Sequence, residues 1–110
     1  MQEQDNCHVD PLEKSLDKDA LSKAMVAYLA VVGMGCPRCA MRVRNGLLGL
    51  DGVLLVEVQL ERGIAAAAFD QNRINTDELL WAVAAAGNDG RHNYSAQLIN
   101  QIPAEVALDY

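Results

Sequence analysis

Large aromatic side chains are scarce in this sequence, which contains one Trp and one Phe among 110 residues. Ala, Val, Leu and Ile must therefore supply most of the hydrophobic core. No apolar run reaches the length of about 18 residues that a transmembrane helix needs, so we expect no membrane insertion. The acidic N-terminus lacks the basic start of a secretory signal. Three cysteines, an odd number, do not suggest a disulfide scaffold, and a reducing, cytoplasmic setting is expected.

Acidic side chains are absent between Ala24 and Leu50, although the whole chain carries a net charge of −6. That stretch contains Arg38, Arg42 and Arg44, and the chain on either side of it is acidic. The overall negative charge argues against nucleic acid as a partner. The three arginines either solvate a helix or steer an acidic protein partner toward the one positive part of the chain.

Hydrophobic periodicity predicts an α+β fold with the element order β-α-β-β-α-β, the split βαβ or ferredoxin-like arrangement. The predicted order is a helix over 11–22 with Asp10 as N-cap, strand 25–32, a helix from Pro37 to Leu50, strands 53–60 and 64–70, a helix from N-cap Thr76 to Gly87, and strand 94–99. We therefore expect three parts: an N-terminal extension (1–24) with a short helix, a folded domain (25–99), and a tail (100–110) in which Pro103 prevents a simple strand continuation.

The strongest candidate for a functional site is Cys36-Pro37-Arg38-Cys39, which lies between the first predicted strand and the next predicted helix. Thiolates select soft metals such as Cu(I), Zn(II) or Hg(II). The partial positive charge of a helix N-terminus lowers the pKa of a thiol and favours its metal-binding form. The same spacing also occurs in thiol-disulfide redox proteins, so both chemistries stay open at this point.

The surroundings of the cysteine pair resemble the heavy-metal-associated domain family of copper chaperones, mercury-binding proteins and modules of metal-pumping ATPases. The resemblance covers about residues 25–99 and rests on Gly33-Met34-Gly35-Cys36-Pro37-Arg38-Cys39, on Gly52-Val53 with Val56 and Val58, and on Leu79 with Ala86-Gly87. It implies a ferredoxin-like, non-enzymatic protein that binds a metal through Cys36 and Cys39. The cargo would be Cu(I), with Zn(II) or Hg(II) as alternatives.

The resemblance also implies that the ion passes by thiolate exchange to a metal-transporting ATPase or another acceptor protein. The carrier would be a monomer or a metal-bridged dimer. A metal-sensing or partner-docking module, with the N-terminal extension as its effector part, remains an alternative.

Several residues depart from the family pattern or allow two interpretations. Gly35 replaces the usual Thr, His or Asp, and Asn88 replaces the Tyr that follows the second helix in bacterial copper chaperones. His92 is either a surface residue or a neighbour of the metal loop in place of that Tyr. Cys7 and His8 are either an accidental pair or additional ligands that would complete a four-ligand site. The resemblance implies that Met34 is a packing residue rather than a third metal ligand. We expect Trp81 to pack in the core.

Overall fold

The computed structural model describes residues 10–87 and 93–107, and it confirms the α+β, ferredoxin-like fold. In chain order the elements are α1 (Lys18–Ser22), β1 (Met25–Val32), α2 (Pro37–Leu48), β2 (Val53–Gln59), β3 (Ile64–Phe69), α3 (Thr76–Ala86), β4 (Ser95–Pro103) and α4 (Ala104–Ala107). None of the helices within the described ranges is long and apolar enough to cross a membrane.

The four strands form one antiparallel sheet in the order β2-β3-β1-β4. Successive side chains of β1 point to opposite faces of the sheet. Ala27, Leu29 and Val31 join the core beneath α2 and α3, while Val26 packs with Ala68 on the opposite face. The loop that carries the cysteine pair leaves the sheet directly after β1, which is paired with a strand on each side.

The main core lies between the sheet and helices α2 and α3. Phe69, the one Phe of the chain, is 1% exposed there, beside fully buried Val43, Leu47 and Leu79. The expectation that Trp81 packs in the core is wrong, because its side chain is 78% exposed. Trp81 follows Leu79 by two residues, about 200° around the helix, so it faces solvent when Leu79 faces the sheet.

The predicted helix over 11–22 is shorter than expected. Helix α1 begins at Lys18, and Asp17 rather than Asp10 is its N-cap, accepting hydrogen bonds from the amides of Asp19 and Ala20. In the preceding segment the Leu12 amide bonds to the side chain of Asn45 instead of to a helical carbonyl. Contacts with α2 therefore replace the first turns of the predicted helix.

The last strand is longer than the predicted 94–99, since β4 continues to Pro103. A register shift opposite Tyr28 and Leu29 lets the pairing with β1 continue until Pro103 lies opposite Met25. Proline is tolerated there because β4 is an edge strand and Pro103 is its last residue. Part of the predicted tail thus belongs to the sheet, whereas the division of the chain at residues 24 and 99 remains a prediction.

The N-terminal cap of α3 is also one residue earlier than predicted. Asn75, not Thr76, accepts a hydrogen bond from the Glu78 amide, and the Glu78 carboxylate accepts one from the Asn75 amide. This reciprocal capping box satisfies two amides that would otherwise lack partners. At the other end the helix stops at Gly87, as expected.

A chain that begins at Ala24 should unfold cooperatively, because the core beneath α2 and α3 uses no residue before Met25. It should be less stable than the full chain by about 1–3 kcal/mol, since it loses the hydrogen bonds that residues 12 and 14 make with α2 and the following loop. Urea unfolding followed by circular dichroism measures both effects. The full chain with Lys14→Met serves as the matched control, and a shortened chain without secondary structure would contradict the prediction.

Candidate metal centre

Both cysteines lie at the N-terminal end of α2. Cys36 is the N-cap residue in an extended conformation, and Pro37 occupies the first helical position, where its missing N–H costs nothing. The Cys36 carbonyl accepts hydrogen bonds from the amides of Cys39 and Ala40, which closes the first turn. This turn brings the two side chains to the positive end of the helix, where thiolates are stabilised.

The two sulfur atoms are 3.4 Å apart. This separation exceeds a disulfide bond, and it is only a few tenths of an ångström shorter than the separation of about 3.8 Å for two thiolates bound to one tetrahedral ion. Cys39 is 2% exposed, whereas Cys36 is half-buried. Two thiols at this distance can contact the same ion, with Cys39 on the buried side and Cys36 on the more exposed side.

The pKa of Cys39 falls from its ordinary value of 9.0 to about 7 through opposing influences. Burial raises the pKa. Hydrogen bonds outweigh this effect and lower the pKa: they come from the Tyr94 hydroxyl, the backbone at Gly35 and Cys36, and the Cys36 side chain. The lowered pKa favours the thiolate form of Cys39.

Tyr94 is the functional residue that the sequence analysis missed. It is 3% exposed at the start of β4, and its ring packs so closely on Gly87 that a Cβ there would lie 2.6 Å from it. Asn88 follows Gly87 in the sequence, and the aromatic ring that packs on this glycine comes from position 94. The only indication in the sequence is an aromatic residue at the start of the final strand, beyond an unusually long connection.

Gly33 makes this arrangement sterically possible. Its φ angle is +109°, and a Cβ at this position would lie 2.3 Å from the Asn93 carbonyl oxygen. The backbone after β1 therefore passes directly against the segment that carries Tyr94, as only glycine permits. Gly35 differs, because a Cβ there would meet nothing within 4 Å, so its place before Cys36 is open space.

The structure brings together only part of the predicted set of ligands. Met34 is partly buried and packs against the core, in agreement with its expected packing role. Cys7, His8 and His92 lie outside the described residues. Within residues 10–87 and 93–107, no group of three or more His, Cys, Asp or Glu side chains could hold an ion.

Arg38 and Arg44, two of the three arginines of the positive stretch, have different environments. Arg38 is exposed in the first turn of α2, next to the cysteine pair. Arg44 donates hydrogen bonds to the Leu12 carbonyl at 2.8 Å and to the Asn45 side chain at 3.1 Å. Arg38 therefore lies in the rim of the site, while Arg44 has a structural contact with the N-terminal extension.

Known proteins are similar to this chain in sequence or in fold. CopZ, a copper chaperone of Bacillus subtilis, is 34% identical over 61 residues, which are 56% of this chain and 88% of that protein. The mercuric transport protein periplasmic component of Shigella flexneri is 37% identical over 59 residues, covering 54% of this chain and 65% of that protein. A copper-binding domain from HMA7, a P-type ATPase, has the same fold, with a TM-score of 0.64 at 23% identity over 70% of this chain and 96% of that domain.

The family description "heavy-metal-associated domain" matches residues 29–89, from the middle of β1 to just beyond α3. The matched region contains both cysteines but excludes the N-terminal extension and β4. The family match covers more than half of the chain, and the ferredoxin-like sheet and the thiol pair at the start of α2 agree with it. The chain therefore belongs to the heavy-metal-associated domain family.

Proposed function

We propose that this protein is a cytoplasmic Cu(I) carrier that holds one ion between Cys36 and Cys39 and passes it to an acceptor protein. The observation that carries the proposal is the pair of sulfur atoms 3.4 Å apart, one buried and one accessible. Two soft thiolates suit Cu(I), which accepts low coordination numbers. Kinship with a copper chaperone supports this cargo over Zn(II) or Hg(II), although the mercuric transport protein keeps Hg(II) as an alternative.

The proposed transfer is an exchange of thiolate ligands. Cys36 is the more accessible sulfur, so an acceptor thiolate can bind the ion from that side while Cys39 still holds it. Cys36 then releases the ion, followed by Cys39, and the ion is never free in solution. No bond of a substrate is made or broken, so the proposal assigns no enzymatic activity.

The proposed acceptor is a metal-transporting ATPase whose docking surface is acidic. Support comes from the shared fold of the copper-binding domain of a P-type ATPase and from exposed Arg38 at the rim of the site. Arginine at an interface rim mainly raises the association rate. The charge of this rim is opposite to that of the chain as a whole.

A thiol-disulfide redox function is the second candidate, and the short distance between the two sulfur atoms favours it. Disulfide formation would require the sulfurs to approach from 3.4 Å to about 2.05 Å. We rank it below metal transfer because the family match and the relatives named for copper and mercury all concern metal binding.

Replacing either ligand, Cys36→Ser or Cys39→Ser, should lower the Cu(I) affinity by several orders of magnitude, since a hydroxyl is a poor ligand for a soft ion. Anaerobic competition against a chromogenic Cu(I) chelator measures this loss. Met34→Leu is the control: it conserves volume at a packing position and should keep the wild-type affinity. Wild-type Cu(I) affinity in the double serine variant would overturn the proposal.

Removing the Tyr94 hydroxyl, Tyr94→Phe, should raise the pKa of Cys39 from about 7 back toward 9.0. Thiolate absorbance in the ultraviolet, followed as a function of pH, measures the midpoint. The metal affinity should fall near pH 7, where the variant must release a proton, and converge with wild type above about pH 9. Tyr28→Phe, on the opposite face of the sheet, is the control. An unchanged midpoint in Tyr94→Phe would show that the hydroxyl does not act on Cys39.

The lowered pKa of Cys39 also makes folding stability depend on pH. The folded thiol loses its proton near pH 7 and the unfolded thiol near pH 9, so this stability contribution is complete above about pH 9 and disappears as pH falls through about 7. The stability difference between wild type and Tyr94→Phe should therefore widen from pH 7 to pH 9, as chemical unfolding at several pH values would reveal.

Reversing one rim charge, Arg38→Glu, should slow Cu(I) transfer to an acidic acceptor at low salt while leaving the Cu(I) affinity nearly unchanged. Stopped-flow transfer over a series of salt concentrations tests this, because screening should reduce the difference from wild type. Lys23→Glu makes the same charge change on an exposed residue before β1, at the opposite end of the sheet from the metal loop. Equal slowing by both variants would assign the effect to net charge alone.

A further inference from the structure

Among the large hydrophobic residues of the described ranges, Trp81 on α3 is the most exposed, at 78%. It is the one Trp of the chain, and the core forms without it. Tryptophan is enriched among the residues that contribute most of the binding free energy at protein–protein interfaces, because its burial removes a large apolar surface from water. The outer side of α3 is therefore a candidate interaction surface.

A groove runs along this surface between α2 and α3. Its first half, with a volume of about 460 Å³, is lined by the Trp81 side chain. Its second half, with a volume of about 450 Å³, is a trough with Gly46 and Ala86 among its lining residues. A Cβ at Gly46 would lie 3.4 Å from the Ala86 Cβ, so the two helices approach closely here and the floor of the trough is low. The two halves share Leu50 and Ala82, and they form one continuous groove.

The two halves of the groove carry opposite charge. Asp77 and Glu78 line the half that contains Trp81, and Arg42 lines the trough. Asp77 lies in the first turn of α3, whereas the trough reaches Ala86, the last residue of that helix. The groove thus has an acidic end with a projecting indole ring and a basic end with an open trough.

We propose that a second copy of this chain occupies the groove, related to the first by a two-fold axis that passes near Ala82. The rotation exchanges the two ends, so the indole ring of Trp81 enters the trough of the other copy. The same rotation places Asp77 of each copy near Arg42 of the other. A surface whose halves match each other in shape and in charge is self-complementary, as a two-fold interface requires. Since both halves lie on one face, the assembly closes at two copies.

The proposed dimer differs from one that is bridged by a metal ion. Cys39 precedes Arg42 by three residues, about one helical turn, so the cysteine pair lies beyond the basic end of the groove and away from the axis. The two cysteine pairs would lie at opposite ends of the dimer, where each can still meet an acceptor protein. The inference is independent of the ion that the cysteines bind.

Trp81 itself reports on the interface, because all tryptophan fluorescence of the chain comes from this residue. As the concentration of the reduced, metal-free full chain rises, the emission should shift to shorter wavelength and acrylamide should quench it less. Sedimentation velocity should show the change from monomer to dimer over the same concentrations. A monomer at every concentration would overturn the inference and leave the groove to a different protein.

Trp81→Ala should raise the dissociation constant of the dimer at least about thirtyfold, the loss expected for a residue that dominates an interface. Val106→Ala is the matched control. Val106 is 58% exposed, but it lies on α4, whose Ala104 and Ala107 pack on the opposite face of the sheet. This variant should keep the wild-type dissociation constant, and an unchanged constant in Trp81→Ala would refute the proposed interface.

Charge reversal tests the two-fold arrangement. Asp77→Lys and Arg42→Glu should each weaken the dimer, because like charges then face each other. Asp77 is preferred over Glu78, whose carboxylate belongs to the cap of α3. An equimolar mixture of the two variants should dimerise again, since every facing pair in the mixed dimer has opposite charges. Circular dichroism confirms that each variant is folded, and a mixture that stays monomeric would rule out this arrangement.

Removing the thiols distinguishes the proposed dimer from a metal-bridged one. The Cys36→Ser/Cys39→Ser variant should dimerise like wild type, although the proposed function predicts that it loses Cu(I) affinity. Loss of the dimer in this variant would overturn the inference and assign the association to the cysteine pair. The two proposals therefore fail on different measurements.

Discussion

The position of Cys39 places the strictest demand on this structure, because one side chain has to belong to the core and remain ionisable. Burial alone would raise the pKa of its thiol and disfavour the thiolate. Hydrogen bonds from Tyr94 and from the backbone of the loop reverse that effect. The close approach of the loop to β4, which Gly33 permits, therefore bears on the ionisation of this thiol as well as on the fold.

The rest of the molecule holds these partners in place. Helix α2 is fixed by Val43 and Leu47 on the sheet, so its first turn cannot shift without disturbing the core. Tyr94 is held from the other side by its packing on Gly87 at the end of α3. The two sulfurs consequently lie where the ends of β1 and α3 and the starts of α2 and β4 meet. Tyr94, one of the three tyrosines of the chain, lies at this junction.

The N-terminal extension adds a feature outside the region matched by the family. It is joined to α2 and the loop after it by hydrogen bonds of the Lys14, Arg44 and Asn45 side chains. An attachment of this kind can be released at modest free-energy cost, unlike the packing of α2 on the sheet.

Local patterns were sufficient to predict β1 with its bounds, the start of α2 at Pro37 and the cysteine pair, because each depends on neighbouring residues. An apolar run, a proline at the first helical position and two cysteines in one turn require no distant partner. The ferredoxin-like order followed from the same patterns. The start of the first helix could not be predicted this way, since the backbone of residues 10–12 bonds to Arg44 and Asn45 instead of within the segment.

The sequence by itself determined the element order, the turn that carries Cys36 and Cys39, and membership of a metal-binding family. Only the tertiary structure decided that Tyr94 contacts Cys39, that Trp81 faces solvent, and that β4 continues to Pro103. Each of these depends on which surfaces meet across the sheet and helices. Hydrogen bonding to a buried thiol, the outward side of a helix and the pairing of an edge strand are properties of the assembled layers, which no short stretch of sequence encodes.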